Sequence, residues 1–335
     1  MARNGQINEI DKHSGTILSV RDLSISLHLA ASGPPVKVID SVSFEVGRGE
    51  ILGIVGESGS GKSVTSQAVL RLLPSPPWNH DGGRVLFEGR DLYSLDGEEM
   101  RKVRGKDIAV VLQEPMTSLN PYYTIGEQIE EVLTAHLKIG RKEARARAVE
   151  ALNEVGVPGA TERAGQYPHQ LSGGLKQRAM IAAALILRPG LLLADEPTTA
   201  LDLTIQAQII ELIGRLSKEL GMAVVFITHD LALIRGMTSR IAVMYSGYII
   251  ESAETQDLFN EPLHPYTRAL IDIIPGPEKR QGELGTIPGS VPKPGRRPPG
   301  CPFGPRCGSV FDRCGESLPG LKAAAGGRSV RCWLY

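Results

Sequence analysis

The residues with the clearest chemical potential form a glycine-rich segment at positions 56–63, Gly-Glu-Ser-Gly-Ser-Gly-Lys-Ser. The spacing matches G-x-x-x-x-G-K-[ST], in which backbone N–H groups wrap the phosphates of a nucleotide. Lys62 is expected to reach the β- and γ-phosphates, and Ser63 is expected to hold Mg²⁺. The residues assigned to phosphate binding are Gly56, Glu57, Ser58, Gly59, Ser60, Gly61, Lys62, Ser63 and Val64.

The sequence on either side of this segment fits the same function. Residues 50–55 read as a short buried strand, and residues 62–73 read as a helix whose N-terminal dipole would point at the phosphates. An ordinary glycine-rich turn is the alternative interpretation, and the flanking strand and helix make it the less favoured one.

A second glycine-rich run, Leu-Ser-Gly-Gly-Leu-Lys-Gln-Arg, occupies positions 171–178. Ser172 can cap the helix that follows, while Gly173 and Gly174 offer bare N–H groups to a γ-phosphate. The alternative is a glycine-rich loop before a core helix, in which the two glycines would weaken the start of the helix without benefit.

Carboxylates follow an apolar segment at 191–194, which predicts a buried strand ending in Asp195 and Glu196. Asp195 can hold Mg²⁺ through water, and Glu196 can polarise an attacking water. A solvated turn is the alternative, because Pro197 follows directly. His229 follows the next predicted strand, 224–227, where it is expected beside Glu196 and within reach of a γ-phosphate.

Composition indicates a regular α/β protein of 335 residues, either one large domain with a small one or two modest domains. Its 37 basic and 37 acidic residues balance, which argues against a nucleic-acid partner. The longest apolar stretch, 180–187, is far shorter than the ~20 residues that span a bilayer. The first residues do not read as a signal peptide, so we expect a cytosolic chain.

The remaining elements predict a sheet with helices. Alternating residues at 18–27 and 38–46 predict an antiparallel pair joined by a turn at 31–35. Residues 125–155 predict two helices, and residues 204–220 predict a third. Strands alternating with helices imply a parallel sheet whose ligand chemistry lies at the strand C-terminal ends.

In their order, these motifs resemble the ATP-binding subunits of ATP-binding cassette (ABC) transporters over nearly the whole chain. The resemblance also covers Gln113, within 111–121, and the segment 200–202. It implies an α/β fold: a P-loop NTPase core with an antiparallel β subdomain, a helical insert at about 114–188 and a small cysteine-containing C-terminal extension. The implied domains are 1–260 and 261–335.

The resemblance also implies roles for particular residues. Glu196 is the implied general base, His229 a switch, and Gln113 a sensor of Mg²⁺ and of the transmembrane partner. The loop 172–174 and Asp202 are implied contacts between subunits, so that two chains stack head to tail and complete each other's ATP sites. The residues implied at Mg²⁺ are Ser63, Gln113 and Asp195.

Several segments are similar to importers of dipeptides, oligopeptides and, in a minority, nickel. They are 113–121, 167–170, 204–208, 262–267 and 300–307. This similarity implies an ATPase at the cytoplasmic face of the inner membrane, with a second ABC ATPase subunit, either a copy or a paralogue, and two transmembrane permease subunits. An extracytoplasmic peptide-binding protein would be an indirect partner.

All four cysteines lie in the tail, after a Pro/Gly-rich linker at 275–299, and are Cys301, Cys307, Cys314 and Cys332. Disulfides are not expected in a reducing cytosol, and four thiolates can ligate a [4Fe–4S] cluster or zinc. The spacings of five, six and seventeen intervening residues contain no C-x₂₋₄-C pair, which weakens the zinc interpretation. The family resemblance favours the iron–sulfur cluster, and free thiols are the third possibility.

One departure from the family concerns adenine. The segment 26–29 lacks the aromatic residue that usually stacks on the base, so Leu27, His28 or Val38 is expected to pack there instead. Two other functional classes stay open. A cassette ATPase acting on DNA or ribosomes is disfavoured by the single P-loop and the absence of a basic tail, and a redox-sensing scaffold is disfavoured by the complete set of catalytic residues.

Overall fold

The computed structural model describes residues 15–28, 33–113, 118–199, 201–274 and 286–335. The strands of the first half are β1 Thr16–Leu27, β2 Val36–Gly47, β3 Ile51–Val55, β4 Trp78–Phe87, β5 Arg90–Asp91 and β6 Ile108–Val111. Those of the second half are β7 Leu191–Asp195, β8 Ala223–Thr228, β9 Arg240–Tyr245, β10 Tyr248–Glu254, β11 Lys322–Ala324 and β12 Arg328–Val330.

The α-helices alternate with these strands over much of the chain. They are α1 Lys62–Val69, α2 Gly97–Val103, α3 Ile125–His136, α4 Arg141–Glu154, α5 Ala160–Arg163, α6 Gly173–Leu185, α7 Leu203–Leu220, α8 Leu231–Ile234, α9 Thr255–Asn260, α10 Pro265–Asp272 and α11 Asp312–Glu316. Among the described residues, none of these helices combines the length and apolar character needed to cross a bilayer.

Two sheets form the core. The smaller sheet has the order β2-β1-β4-β5, and its β1–β2 pair is antiparallel, which confirms the pairing predicted from alternation at 18–27 and 38–46. The predicted turn at 31–35 lies partly outside the described residues. The larger sheet has the order β11-β12-β10-β9-β3-β8-β7-β6, and its strands β9, β3, β8, β7 and β6 are parallel.

The parallel strands bring the predicted chemistry to one edge. β3 lies between β8 and β9, and β7 pairs with the other side of β8, so the strands preceding Gly56, Glu196 and His229 end beside one another. Each of these strands is fully buried, which matches the uninterrupted apolar runs of the sequence. The predicted α/β fold with a parallel sheet is confirmed.

Most helix predictions hold, with one correction. α3 and α4 account for the two helices predicted in 125–155, and α7 accounts for the helix predicted at 204–220. The helix predicted at 62–73 was too long, because α1 ends at Val69 and Arg71 adopts a φ of 53°, outside helical geometry. Pro74 also disfavours a helical conformation at Leu73, so the chain turns away.

α3, α4 and α6 pack together between β6 and β7 in the chain. Thr124 and Glu127 form a capping box that begins α3, while Ile129 and Leu133 supply its buried face. Residues 114–117, where the insert is predicted to begin, lie outside the described residues. The insert and domain boundaries therefore stay predictions.

The C-terminal extension is joined to the core by strand pairing and by hydrogen bonds. β12 pairs with β10 through Glu251 opposite Val330, so the tail extends the larger sheet. The buried Glu251 carboxylate accepts hydrogen bonds from the N–H groups of Leu263 and His264 at 2.7 and 2.8 Å. Burial lowers the pKa of His264 to about 3, so its neutral ring accepts from Tyr266 N–H and caps α10. Residues 275–285 of the linker lie outside the described residues.

Candidate functional site

The glycine-rich loop joins β3 to α1 and depends on close backbone approach. A side chain at Gly56 would collide with the carbonyl oxygen of Met244, and one at Gly61 would lie 2.9 Å from Ile39 Cγ2. Gly61 also has a φ of 105°, which favours glycine. α1 begins at Lys62 without a side-chain cap. The first N–H groups of the helix are therefore hydrogen-bond donors that an anion in the loop can use.

Lys62 is the cation of the loop. Its Nζ donates to the carbonyl oxygens of Gly56 at 2.8 Å and Glu57 at 3.1 Å, and lies 3.8 Å from Glu196 Oε1. The side chain is only 4% exposed, and burial lowers the pKa of Lys62. Phosphate oxygens entering the loop would take over these donors and supply a stronger charge partner.

Asp195 and Ser63 meet at the other side of the loop. Asp195 is buried and accepts hydrogen bonds from Ser63 Oγ at 3.0 Å and Ser66 Oγ at 3.1 Å. Burial raises the pKa of Asp195, so its charged form needs a cation or further donors. Hard oxygen donors of this kind fit Mg²⁺. Sequence reasoning missed Ser66, although its position three residues after Ser63 on α1 places it on the same helix face.

One oxygen of the Glu196 carboxylate contacts three polar side chains. Oε2 accepts from Gln113 Nε2 at 3.2 Å and from Thr199 Oγ1 at 2.9 Å, and it lies 3.2 Å from His229 Nδ1. Glu196 is 11% exposed and has a φ of 46°, whereas His229 is 59% exposed. The structure therefore brings together the three residues predicted to be catalytic. Thr199, which sequence reasoning missed, also holds Glu196.

These residues surround one cleft of about 540 Å³. Among the described residues, its walls come from the glycine-rich loop and α1, from the ends of β7 and β8, and from the start of the C-terminal extension. The lining residues are Glu57, Ser58, Gly59, Gly61, Lys62, Ser63, Val64, Gln113, Glu196, Thr199, His229, Leu270 and Ile273. No local sequence pattern indicates that Leu270 and Ile273 reach this cleft.

The second glycine-rich run lies elsewhere. Ser172 caps α6, with its Oγ accepting from Leu175 N–H at 3.4 Å, and Asp202 caps α7 by accepting from Ile205 N–H at 3.0 Å. A side chain at Gly174 would lie 2.9 Å from Ile205 Cγ2, so glycine lets the two helices approach. Of the described residues, Ser172, Gly173, Gly174 and Asp202 do not line the phosphate cleft of their own chain. Ala200 lies outside the described residues.

Comparison with known proteins places this geometry in a family. A family model described as "ABC transporter" matches residues 39–199, and one described as "Oligopeptide/dipeptide transporter, C-terminal region" matches residues 250–314. The oligopeptide transport ATP-binding protein AppD of Bacillus subtilis is 46% identical over 320 residues, which cover 96% of this chain and 97% of AppD. The dipeptide transport ATP-binding protein DppD of the same organism is 44% identical, covering 95% and 94%. The chain belongs to the ATP-binding proteins of peptide ABC transporters.

Solved structures agree with this membership. The ATP-binding cassette MJ0796, in a dimeric post-hydrolysis state bound to ADP and Pi, is 29% identical with a TM-score of 0.63. The match covers 71% of this chain and 98% of that protein. This peptide-transporter ATP-binding protein is accordingly an ATPase with a P-loop core.

The region that is predicted to pack on adenine contacts the C-terminal extension of this ABC ATPase. Val38, one of the residues predicted to pack on adenine, has its carbonyl oxygen bonded by Arg297 Nη2 at 2.6 Å, and the guanidinium of Arg297 lies 4.8 Å from the Tyr248 ring centroid. Arg297 thus links the C-terminal extension to β2. Leu29, at the end of the segment 26–29, lies outside the described residues.

The four cysteines of this ABC ATPase line one small pocket, together with His264, Phe303 and Trp333 among others. None of the four forms a disulfide. Burial raises the pKa of the Cys301, Cys307 and Cys332 thiols. Within the described residues, no three His, Cys, Asp or Glu side chains converge closely enough to hold a metal ion.

Proposed function

We propose that this ATPase powers the import of dipeptides or oligopeptides across the cytoplasmic membrane. The observation that carries the proposal is the combination of a P-loop cleft with the oligopeptide/dipeptide C-terminal region in one chain, similar to AppD over 96% of its length. In this proposal the chain lies at the cytoplasmic face of the membrane, bound to two permease subunits and a second ABC ATPase subunit, and an extracytoplasmic binding protein delivers the peptide.

The chemistry assigned to each residue follows from its contacts. Glu196 is the general base that takes a proton from the attacking water, since its carboxylate faces the cleft and is oriented by three donors. Lys62 and the loop N–H groups hold the phosphates. Ser63, Asp195 and Gln113 would hold Mg²⁺, which neutralises phosphate charge when bound. His229 lies close enough to Glu196 to report the state of the γ-phosphate.

The proposal of a head-to-tail pair rests on the position of the second glycine-rich run. Ser172, Gly173 and Gly174 present the N-terminus of α6 to the surface rather than to the cleft of the same chain. A second ABC ATPase subunit would present its equivalent loop to the γ-phosphate bound by Lys62, and Asp202 would lie at the contact. ATP then favours the closed pair, and hydrolysis removes that preference.

An apolar cleft of about 460 Å³ supports the attachment to permease subunits. It lies between the segment that follows α1, strand β6, and helices α3 and α6, and one of its lining residues, Leu112, precedes Gln113 in the chain. Its apolar walls include Leu70, Leu72, Leu112, Leu119, Val132 and Met180. A helix of a membrane subunit seated here would contact both the core and the helical segment, and would be able to move Gln113.

Peptide cargo is tested by purifying the chain with its membrane subunits and reconstituting the complex in liposomes. We expect ATP hydrolysis to rise several-fold when a binding protein loaded with a dipeptide or oligopeptide is added, because loaded receptor favours the closed pair. The control is the empty binding protein. Stimulation by Ni²⁺-loaded binding protein instead of peptide would contradict the peptide assignment and support a nickel importer of the same family.

We further propose that Cys301, Cys307, Cys314 and Cys332 ligate a [4Fe–4S] cluster. Four thiols around one pocket support a shared ligand. The cysteine spacing contains no C-x₂₋₄-C pair, which weakens the zinc alternative. Ser309 N–H donates to Cys307 Sγ at 3.4 Å, a bond that stabilises a thiolate.

The cluster predicts a measurable cofactor content. Protein purified without oxygen is expected to absorb visible light and to contain about four iron and four sulfide per chain. The Cys314→Ser variant is expected to lose most of both. Colourless, iron-free wild-type protein that hydrolyses ATP normally would contradict the cluster, and stoichiometric zinc in that protein would support the alternative ligand.

A further inference from the structure

The phosphate loop is held from outside by the cysteine-containing segment. Glu57, the second residue of the loop, lines the cleft and forms a bidentate ion pair with Arg306. Arg306 Nη1 lies 3.0 Å from Glu57 Oε1, and Nη2 lies 3.1 Å from Oε2. The Arg306 side chain is 5% exposed and that of Glu57 is 30% exposed, so this pair is much less screened by solvent than a surface ion pair.

The guanidinium of Arg306 has little freedom to move. Besides Glu57, its Nε donates to the carbonyl oxygen of Pro288 at 2.7 Å, Nη2 donates to that of Ile287 at 3.1 Å, and Nη1 donates to Tyr245 Oη at 3.2 Å. These contacts use all five N–H donors of an arginine. The position of Arg306 is therefore fixed from two sides, by Ile287 and Pro288 of the C-terminal extension and by Tyr245 of β9.

The backbone of Glu57 is held by the same part of the chain. Its N–H donates to Tyr266 Oη at 2.9 Å, and Tyr266 is fully buried at the start of α10. The Tyr266 ring packs edge-on against Tyr245 at 4.7 Å and against Phe303 at 5.3 Å between centroids. Side chain and main chain of this loop residue are thus both anchored in an aromatic cluster beside the cysteines.

The Arg306–Glu57 ion pair affects the electrostatic potential of the phosphate cleft. A carboxylate on the wall of a phosphate cleft repels the polyphosphate of ATP, and the effect is strong in a partly buried site. Arg306 neutralises that charge and directs it away from the ligand. Arg306 ends the helical turn Gly304–Arg306, which lies between Cys301 and Cys307, so a shift of Cys307 would also shift the residue that carries the guanidinium.

We propose that Arg306 is a positioning residue for ATP binding, and that the cysteine segment controls ATP affinity through the Arg306–Glu57 pair. The first part rests only on the ATPase activity of the family. The second part holds whichever ligand the thiols carry, because it depends on their arrangement around Cys307.

The first test measures equilibrium binding of ATP to the full chain. Arg306→Gln is expected to raise the Kd for ATP about tenfold, with kcat at saturating ATP nearly unchanged, because Glu57 is then an unpaired carboxylate in the cleft. Glu57→Gln removes the carboxylate from the cleft wall, so its Kd for ATP is expected to be lower than that of Arg306→Gln. The double variant is expected to return to the Kd of Glu57→Gln, since removing the carboxylate removes the need for its partner.

The matched control is Arg328→Gln, which breaks the Arg328–Glu261 ion pair of the same extension at residues that do not line the cleft. Its Kd should not change. If Arg306→Gln fails to fold, Arg306→Lys is the second variant, because it keeps the positive charge but cannot form the bidentate contact with Glu57. Its Kd for ATP is expected to lie between those of the wild type and of Arg306→Gln. An unchanged Kd in the Arg306 variant, or a double variant as weak as Arg306→Gln, would overturn the proposal.

The second test asks whether the thiols act through the pair. Cys307→Ser, which disturbs the turn that carries Arg306, is expected to raise the Kd for ATP in the wild-type background and to add nothing in the Arg306→Gln background. Additive effects, or no effect of Cys307→Ser, would overturn control by the cysteine segment. These results are read from nucleotide affinity alone, so a failure of peptide stimulation or of iron content is distinguishable from a failure here.

Discussion

Replacing Glu196 with Gln is expected to lower the rate of ATP hydrolysis by about 10³-fold while ATP still binds. The amide keeps the shape of the side chain and can still contact Thr199 and His229, but it cannot accept a proton from water. Lys62 and the loop N–H groups are untouched, so ATP should accumulate in a stable closed pair. Single-turnover hydrolysis and ATP-dependent dimerisation of the variant in the assembled complex measure the two effects.

The matched control for this variant is Glu98→Gln, which changes an exposed carboxylate of α2 that pairs with Arg101. It should leave hydrolysis and transport unchanged. A redox scaffold with vestigial hydrolysis makes the opposite prediction for Glu196→Gln, namely that the biological activity survives. Normal peptide uptake by this variant would therefore refute the motor interpretation.

Ser172→Arg and Lys62→Ala are expected to stop hydrolysis by different routes. Lys62→Ala removes the cation of the loop and should weaken ATP binding about 100-fold.

Ser172→Arg places a bulky charge at the N-terminus of α6, outside the cleft of its own chain, so ATP binding to the isolated chain should be normal. Hydrolysis by the assembled complex should fall at least about 100-fold, because the facing site loses its N–H donors.

Loss of the helix cap is the confounding effect in Ser172→Arg, and Asp96→Arg controls for it. Asp96 caps α2 in the same way, by accepting from Glu99 N–H at 2.8 Å, at a position away from the glycine-rich runs. This control should lose some stability but keep hydrolysis. An isolated chain, dilute and monomeric, that hydrolyses ATP at the full rate with Ser172→Arg would show that the site is complete without a partner.

The sequence could predict the phosphate cleft because its signals are local. The loop 56–63, the acids after β7 and the histidine after β8 each follow a short apolar strand, and parallel pairing places the ends of such strands together. The predicted end of α1 was wrong because apolar residues continue past Val69 in the sequence, while the backbone turns at Arg71. Composition and spacing carry little information about such a local change of φ.

The contacts of the C-terminal extension with the cleft could not be predicted. Arg306 is 249 residues from Glu57 and Tyr266 is 209 residues from it, and nothing in the local sequence of either indicates the pairing. The clustering of four cysteines in the tail predicts a shared ligand, which stays a prediction, and it did not indicate that the pocket would border the aromatic cluster behind the phosphate loop. Long-range packing of this kind depends on the complete fold.

The pairing of β12 with β10 has a consequence for shortened forms of the chain. Arg331 N–H donates to the carbonyl oxygen of Ile250 at 2.7 Å, and the buried Arg331 side chain also bonds Ile249 and Pro319. Truncation before β11 would remove these bonds and leave β10 as an edge strand whose unpaired N–H and C=O groups can pair with another chain. The tail therefore protects the edge of the larger sheet, in addition to supplying the four thiols.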